Sequence, residues 1–267
     1  MTNTMIDWQT MKKKWIDDVK NTLLPKLSRD SRFINSIQLI NRFQSEIQVW
    51  EKTALFKPLI EIGNELASAE KLLDHLTAND TLTYEPPIIG TNKKIDFLIN
   101  AASGAYEWIE VKTVAPQWVD DQAGWIRFTQ IAQEAPENAS FIVRRDWAGA
   151  AISGQAIKAR WSFIQRAAEI EARAQSIPKN QSGPISLLFC STGLAWAKDE
   201  LEDFADFYRT GAFRADDWLS NATKRYMQDQ SLTFDRSIAG FHFLGRKHDE
   251  VSANDFSRNI SGPILGT

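Results

Sequence analysis

The sequence predicts an α/β protein: a mixed central β-sheet flanked by helices, with a helical N-terminal extension. A helical stripe over residues 58–76 is followed by three strand-like runs, TLTYEPPI (81–88), KKIDFLINA (93–101) and AYEWIEVKTV (105–114). A second helical pattern over 154–176 then precedes the apolar run ISLLFC (185–190). Helix, three strands, helix, strand is an order that closes into a sheet with helices packed on it.

Residues 1–52 read as the helical extension, a lead-in that could form its own lobe. Trp8, Ile16, Val19 and Leu23 recur near helical spacing, Pro25 marks a break, and a second helical segment from about Asp30 carries Phe33, Ile37, Leu39, Ile40, Phe43 and Ile47. The α/β core spans 53–192. Pro58 suits the first turn of its leading helix. Leu59, Ile62, Leu66, Ala69, Leu73 and Leu76 follow at alternating intervals of three and four, one buried stripe with Glu65 at its edge and Glu61 further out. Gly63 costs about 1 kcal/mol against alanine and could admit another backbone. Ala-Ser-Gly at 102–104 is a plausible hairpin tip between the second and third strands. Within 115–150 the one strand candidate is FIVRR (141–145). The later helix places Ile157, Trp161, Ile164 and Ala168 on one face. Residues 193–267 supply C-terminal helices near 198–209 and 215–228, a strand at 238–245 and an irregular tail from 251, packing on the core.

Composition narrows the function. The chain has 267 residues, long enough to bury roughly three quarters of its unfolded surface. Fifteen Phe and ten Trp argue against disorder. A formal charge of -3 does not describe a basic protein that coats nucleic acid, although it permits a local basic groove. Cys190 is the only cysteine, so no internal disulfide forms, and its apolar setting marks a packed thiol. No signal-like start and no long apolar window is seen, so a cytoplasmic protein without membrane contact is expected. His75, His242 and His248 are scattered, and no Cys/His zinc spacing exists.

The chemistry concentrates in WIEVKTV, residues 108–114. Glu110 and Lys112 are two apart on a strand and share a face. Alone, such a pair is a passive ion pair worth at most about 1 kcal/mol. A hairpin centred on Ser103 changes its meaning, because Asn100 then faces Tyr106, Leu98 faces Trp108 and Asp96 faces Glu110. Two opposed carboxylates repel unless a proton or cation lies between them. All-oxygen surroundings favour Mg²⁺ or Mn²⁺ over zinc.

A glutamate on the leading helix (Glu65), an aspartate on the first hairpin strand (Asp96) and Glu110-Val111-Lys112 on the second form an order that resembles the PD-(D/E)XK nuclease superfamily, with its restriction-endonuclease-like core. The resemblance covers about residues 58–191; Asp96 follows Ile95 where the family pattern has proline, with Pro86-Pro87 ten residues earlier. It implies Mg²⁺-dependent hydrolysis of phosphodiester bonds, with DNA as the expected partner, in restriction, repair or defence. It further implies that Asp96, Glu110, the Val111 carbonyl and Glu65 bind metal. Lys112 would orient the attacking water or neutralise developing charge, and the products would carry a 5′-phosphate and a 3′-hydroxyl. A homodimer would suit an enzyme cutting both strands. Lys158, Gln165, Arg144, Arg145 and Arg160 are candidates for phosphate contacts. The competing class is a non-catalytic nucleic-acid-binding or scaffold protein with the same fold, since a fold alone does not establish activity. A glycosidase using Glu110 with a second acid fits the lysine and the hairpin less well.

Overall fold

A computed structural model describes residues 8–90, 94–114, 151–175, 177–178, 181, 183–192, 196–213, 218–246, 255–262 and 264–265. The chain opens with α1 (Trp8–Asp18), a π-helical turn (Val19–Leu23) and α2 (Leu24–Arg29). Pro25 therefore does not end the helix as its sequence suggests. It sits in the first turn of α2, where its missing N–H matters least, and the wide turn before it absorbs the mismatch. The next segment starts as strand rather than helix. β1 (Phe33–Ile34) precedes α3 (Ser36–Thr53) and α4 (Lys57–His75).

β2 (Thr81–Tyr84), β3 (Phe97–Asn100) and β4 (Tyr106–Val114) follow, then α5 (Ala151–Ala174) and β5 (Ile185–Thr192). β2 stops before Pro86-Pro87, which offer no N–H to a ladder. α6 (Trp196–Thr210), α7 (Trp218–Asp229), β6 (Ile238–Arg246) and β7 (Asp255–Ser261) complete the described elements. β7 pairs antiparallel with β6, so part of the tail expected to be irregular is an edge strand. The FIVRR candidate, with Arg144 and Arg145, lies outside the described residues.

Among the described residues the sheet is mixed and seven-stranded, in the order β1-β2-β3-β4-β5-β6-β7. β2, β3 and β4 form an antiparallel meander, and α5 carries the chain over to β5, parallel to β4. β5 explains its continuous apolar run. Ile185, Leu187 and Phe189 enter one core while Leu188 and Cys190 enter the other, as expected of a central strand covered on both faces. The first core joins α1 to α4 with Leu82, Phe97, Ile109 and Val111; the second joins α5 and α6 with Trp108 and the odd positions of β5. The N-terminal helices thus share their core with α4 and the sheet.

Gly63 admits a side chain, not a backbone. A Cβ built there would lie 2.5 Å from the Trp15 ring, which is itself fixed edge-on to Phe43 and Phe56 at 5.8 and 5.7 Å. Gly63→Ala should therefore destabilise the fold by about 1–3 kcal/mol through overpacking. A thermal melt checks this, and an unchanged midpoint would show that the indole moves aside freely.

Candidate active site

The hairpin register is Phe97↔Ile109, Leu98↔Trp108, Ile99↔Glu107 and Asn100↔Tyr106, a mirror about position 103. Asp96 immediately precedes Phe97, so this register carries it opposite Glu110. Backbone pairing ends at Phe97, and a side chain continues it: the Val111 N–H donates to Asp96 Oδ2 at 2.8 Å. The N–H and C=O of one strand residue point to the same side. The Val111 carbonyl therefore also faces this open edge of β4. The Asp96 carbonyl accepts the Glu85 N–H at 2.8 Å, which fixes the backbone at the mouth of β3.

A cavity of about 210 Å³ opens at this edge, lined by Glu61, Glu65, Asp96, Val111, Lys112, Thr113 and Arg166. It lies where β3 leaves β4. α4 supplies Glu61 and Glu65, and α5 supplies Arg166. On α4, the fully buried Asn64 donates to Thr113 Oγ1 at 2.9 Å and ties the helix to β4 beside the cavity.

Glu65 is no solvated helix residue. Its side chain is 13% exposed, the Tyr84 hydroxyl donates to its Oε2 at 2.8 Å, and Arg42 stands 3.5 Å away. Arg42, from α3, also donates to the Tyr84 hydroxyl and to Glu85. Burial pushes Glu65 up to about 7, against the pull of Arg42 and the Tyr84 hydroxyl. Burial, then the nearby charges of Glu110 and Glu65, push Asp96 well above the usual carboxylate range.

Glu110 is placed differently. It is 1% exposed, and its Oε1 accepts from Lys112 Nζ at 2.5 Å and Arg173 Nη1 at 2.6 Å. Its Oε2 is buried with no hydrogen-bond partner among the described residues. Glu110 is not one of the residues lining the cavity. Among the described residues no group of three or more His, Cys, Asp or Glu side chains is arranged to hold a metal ion.

Arg42, Tyr84, Arg166 and Arg173 escape the sequence reading. Only the last pair carries a signal, since Arg166 and Arg173 are seven apart and lie two turns along one side of α5. The wider set of phosphate candidates is corrected in part. Arg160 is buried, ion-paired with Asp203 and placed over the Phe213 ring, so it does not present itself to a phosphate. Gln165 is exposed but donates to the Tyr226 hydroxyl, and Tyr226 stacks on Trp161 at 4.5 Å. The Lys158 side chain lies outside the described residues. No described helix is long and apolar enough to cross a membrane.

Compared with protein-family models, with characterised proteins and with solved structures, the chain gives no significant match.

Proposed function

We propose that the protein is a divalent-cation-dependent nuclease of the PD-(D/E)XK type, hydrolysing phosphodiester bonds in nucleic acid, with DNA as the favoured substrate. One observation carries this reading. Asp96 replaces the missing β3 backbone at the edge of β4 and brings its carboxylate to the cavity that also holds Glu65, Lys112 and the Val111 edge. The path α4-β2-β3-β4-α5-β5, with three antiparallel strands and a parallel fourth, supports the restriction-endonuclease-like assignment.

The donor set fits Mg²⁺ or Mn²⁺. It is all oxygen, and it holds two acids that burial keeps from ionising easily, Asp96 also through the charges of Glu110 and Glu65; outside the cavity lining, Glu110 Oε2 is buried with no partner among the described residues. Asp96, Glu65 and the Val111 carbonyl would hold the ion, with Glu110 contributing through Oε2. When bound, the cation polarises a phosphoryl oxygen and acidifies water. Lys112 lines the cavity and directs a compact positive charge at the attacking water and the phosphate, while Arg166 meets the phosphate from α5.

A non-catalytic binding or scaffold role is the second reading, favoured by the engagement of Glu110 Oε1 with two cations. Incubation with supercoiled plasmid and with single-stranded oligonucleotides separates the two. The nuclease cleaves with Mg²⁺ or Mn²⁺ and stops with a chelator; the scaffold does neither and shows no cation-dependent thermal shift.

The pH dependence follows from Glu65. A cation must displace the proton held there, so at subsaturating cation cleavage should rise with pH through about 7, and a saturating cation should move the rise to lower pH. The Tyr84 hydroxyl favours the ionised form, so Tyr84→Phe should move this inflection upward. Rate profiles from roughly pH 5.5 to 9 at subsaturating cation measure it, and an unmoved inflection would detach Glu65 from the reaction.

A further inference from the structure

We infer that Gln38, Arg42 and Lys94 form a phosphate subsite beside the cavity, which the Glu85 carboxylate fills until the backbone of a nucleic-acid strand displaces it. The inference rests on the nuclease reading and adds where the strand runs as it leaves the cavity and what guards that path.

The backbone holds Glu85 in place. Its φ of 41° lies in the left-handed region that a residue with a Cβ rarely adopts. The corner is fixed from both sides: the Glu85 N–H donates to the Asp96 carbonyl at 2.8 Å, and Asn35 Nδ2 donates to the Tyr84 carbonyl at 3.1 Å. The Glu85 carboxylate then collects three donors from two separate segments. Gln38 Nε2 reaches Oε2 at 2.7 Å, Lys94 Nζ reaches the same oxygen at 2.5 Å, and Arg42 Nη1 reaches Oε1 at 2.9 Å. Gln38 and Arg42 lie one turn apart on α3, and Lys94 approaches from the segment that leads into Asp96. Three donors, two of them cations, thus converge on one anion at the mouth of β3. Arg42 also stands 3.5 Å from Glu65, which lines the cavity, so the cluster adjoins the place where a scissile phosphate would lie.

The two cations face solvent and the acid does not: the side chains of Arg42 and Lys94 are 42% and 55% exposed, that of Glu85 only 13%. A strand can therefore reach the donors from outside, and ion pairs this open to water are weak. A phosphodiester carries one negative charge, as Glu85 does, so the exchange leaves the charge balance unchanged. An acid on the same chain competes at high effective concentration. A lone phosphate does not displace it, whereas a strand anchored in the cavity by Lys112 and Arg166 does. Glu85 on this account guards the subsite against stray anions, and Gln38, Arg42 and Lys94 bind the strand.

Fluorescence anisotropy of the full-length protein with labelled single-stranded and duplex DNA oligonucleotides, in chelator and over roughly 50 to 200 mM salt, reads binding without metal or cleavage. Lys94→Gln should weaken binding about three- to tenfold and lower the slope of log Kd against log salt by about one. Lys94→Arg, which keeps the charge, should recover most of the lost affinity. Glu85→Gln should bind more tightly by a similar factor and with a steeper salt dependence, because two cations lose their acid. A thermal melt shows that each variant is folded, and Lys94, more than half exposed, is replaced without touching the core. Wild-type affinity and salt dependence in Lys94→Gln overturn the inference. Unchanged or weaker binding in a folded Glu85→Gln variant overturns it as well, and makes Glu85 a structural anchor. If either occurs while the wild type still cleaves with Mg²⁺, the nuclease reading stands. A wild type that neither binds oligonucleotide nor cleaves removes both.

Discussion

Asp96→Asn is expected to leave the cation-free protein as stable as wild type or more so, while slowing cleavage by more than about a hundredfold. The asparagine oxygen can still accept the Val111 N–H, so the substitute for backbone pairing at the β4 edge is kept. What disappears is a carboxylate that burial and the charges of Glu110 and Glu65 hold well above its usual range. The sign of the linkage is fixed by that direction. A group whose folded pKa is raised binds more protons in the folded state, so stability falls as pH rises above the unfolded value. For Glu65 the window runs from its ordinary 4.5 to about 7, and Asp96 extends the same trend. At neutral pH the cation-free fold therefore carries an electrostatic penalty, and the amide removes part of it. Added Mn²⁺ should raise the melting temperature of the wild type, because binding to the folded state alone stabilises it. The asparagine variant should lose that rise. Melting curves with and without Mn²⁺, beside cleavage rates, test this. A variant that melts well below wild type, or cleaves at its rate, would show that Asp96 acts only as a backbone cap.

Much of the arrangement is legible where local patterns and tertiary demands agree. The α4 stripe, the mirror of the hairpin about position 103 and the two-sided apolar run of β5 each follow from period and burial. Asp96, Glu110 and Lys112 are legible because a hairpin register is short-range: one turn sets every facing pair. Glu65 is half-legible. Helical geometry puts it at the edge of a stripe, but not whether that edge meets a strand end or water. Arg42, Tyr84 and Arg173 belong to elements far apart along the chain, and only packing of α3 and α5 on opposite faces of the sheet brings them to these acids. Periodicity carries no information about such meetings. Pro25 misleads for a different reason: helix-breaking rules treat the residue in isolation, whereas the π-helical turn before it absorbs the lost hydrogen bond. The β7 segment, DFSRNIS, is too polar to show the alternation of a half-buried strand and is paired only at the sheet edge.

Lys112→Gln separates an active site from an ion pair most sharply. Glutamine keeps part of the stem and can still hydrogen-bond Glu110, while Arg173 continues to neutralise Glu110 Oε1, so no buried carboxylate is left wholly unpaired. The fold should therefore survive, with a loss on the order of 1 kcal/mol, the net value of a typical hydrogen bond. Chemistry should not survive. If the ammonium directs the attacking water or neutralises charge that develops on the phosphate, its contribution exists mainly in the transition state. The expected signature is a fall in kcat of roughly 10²- to 10⁴-fold with KM and Mn²⁺ affinity close to wild type. Lys112→Arg should rescue poorly, because a planar guanidinium cannot place a compact charge in a cavity of about 210 Å³. Steady-state cleavage rates and Mn²⁺ titrations of both variants decide the matter. Wild-type turnover in Lys112→Gln would return Glu110 and Lys112 to the status of a structural ion pair on a buried strand, and a loss confined to Mn²⁺ affinity would assign the lysine to shaping the ion's site rather than to the reacting phosphate.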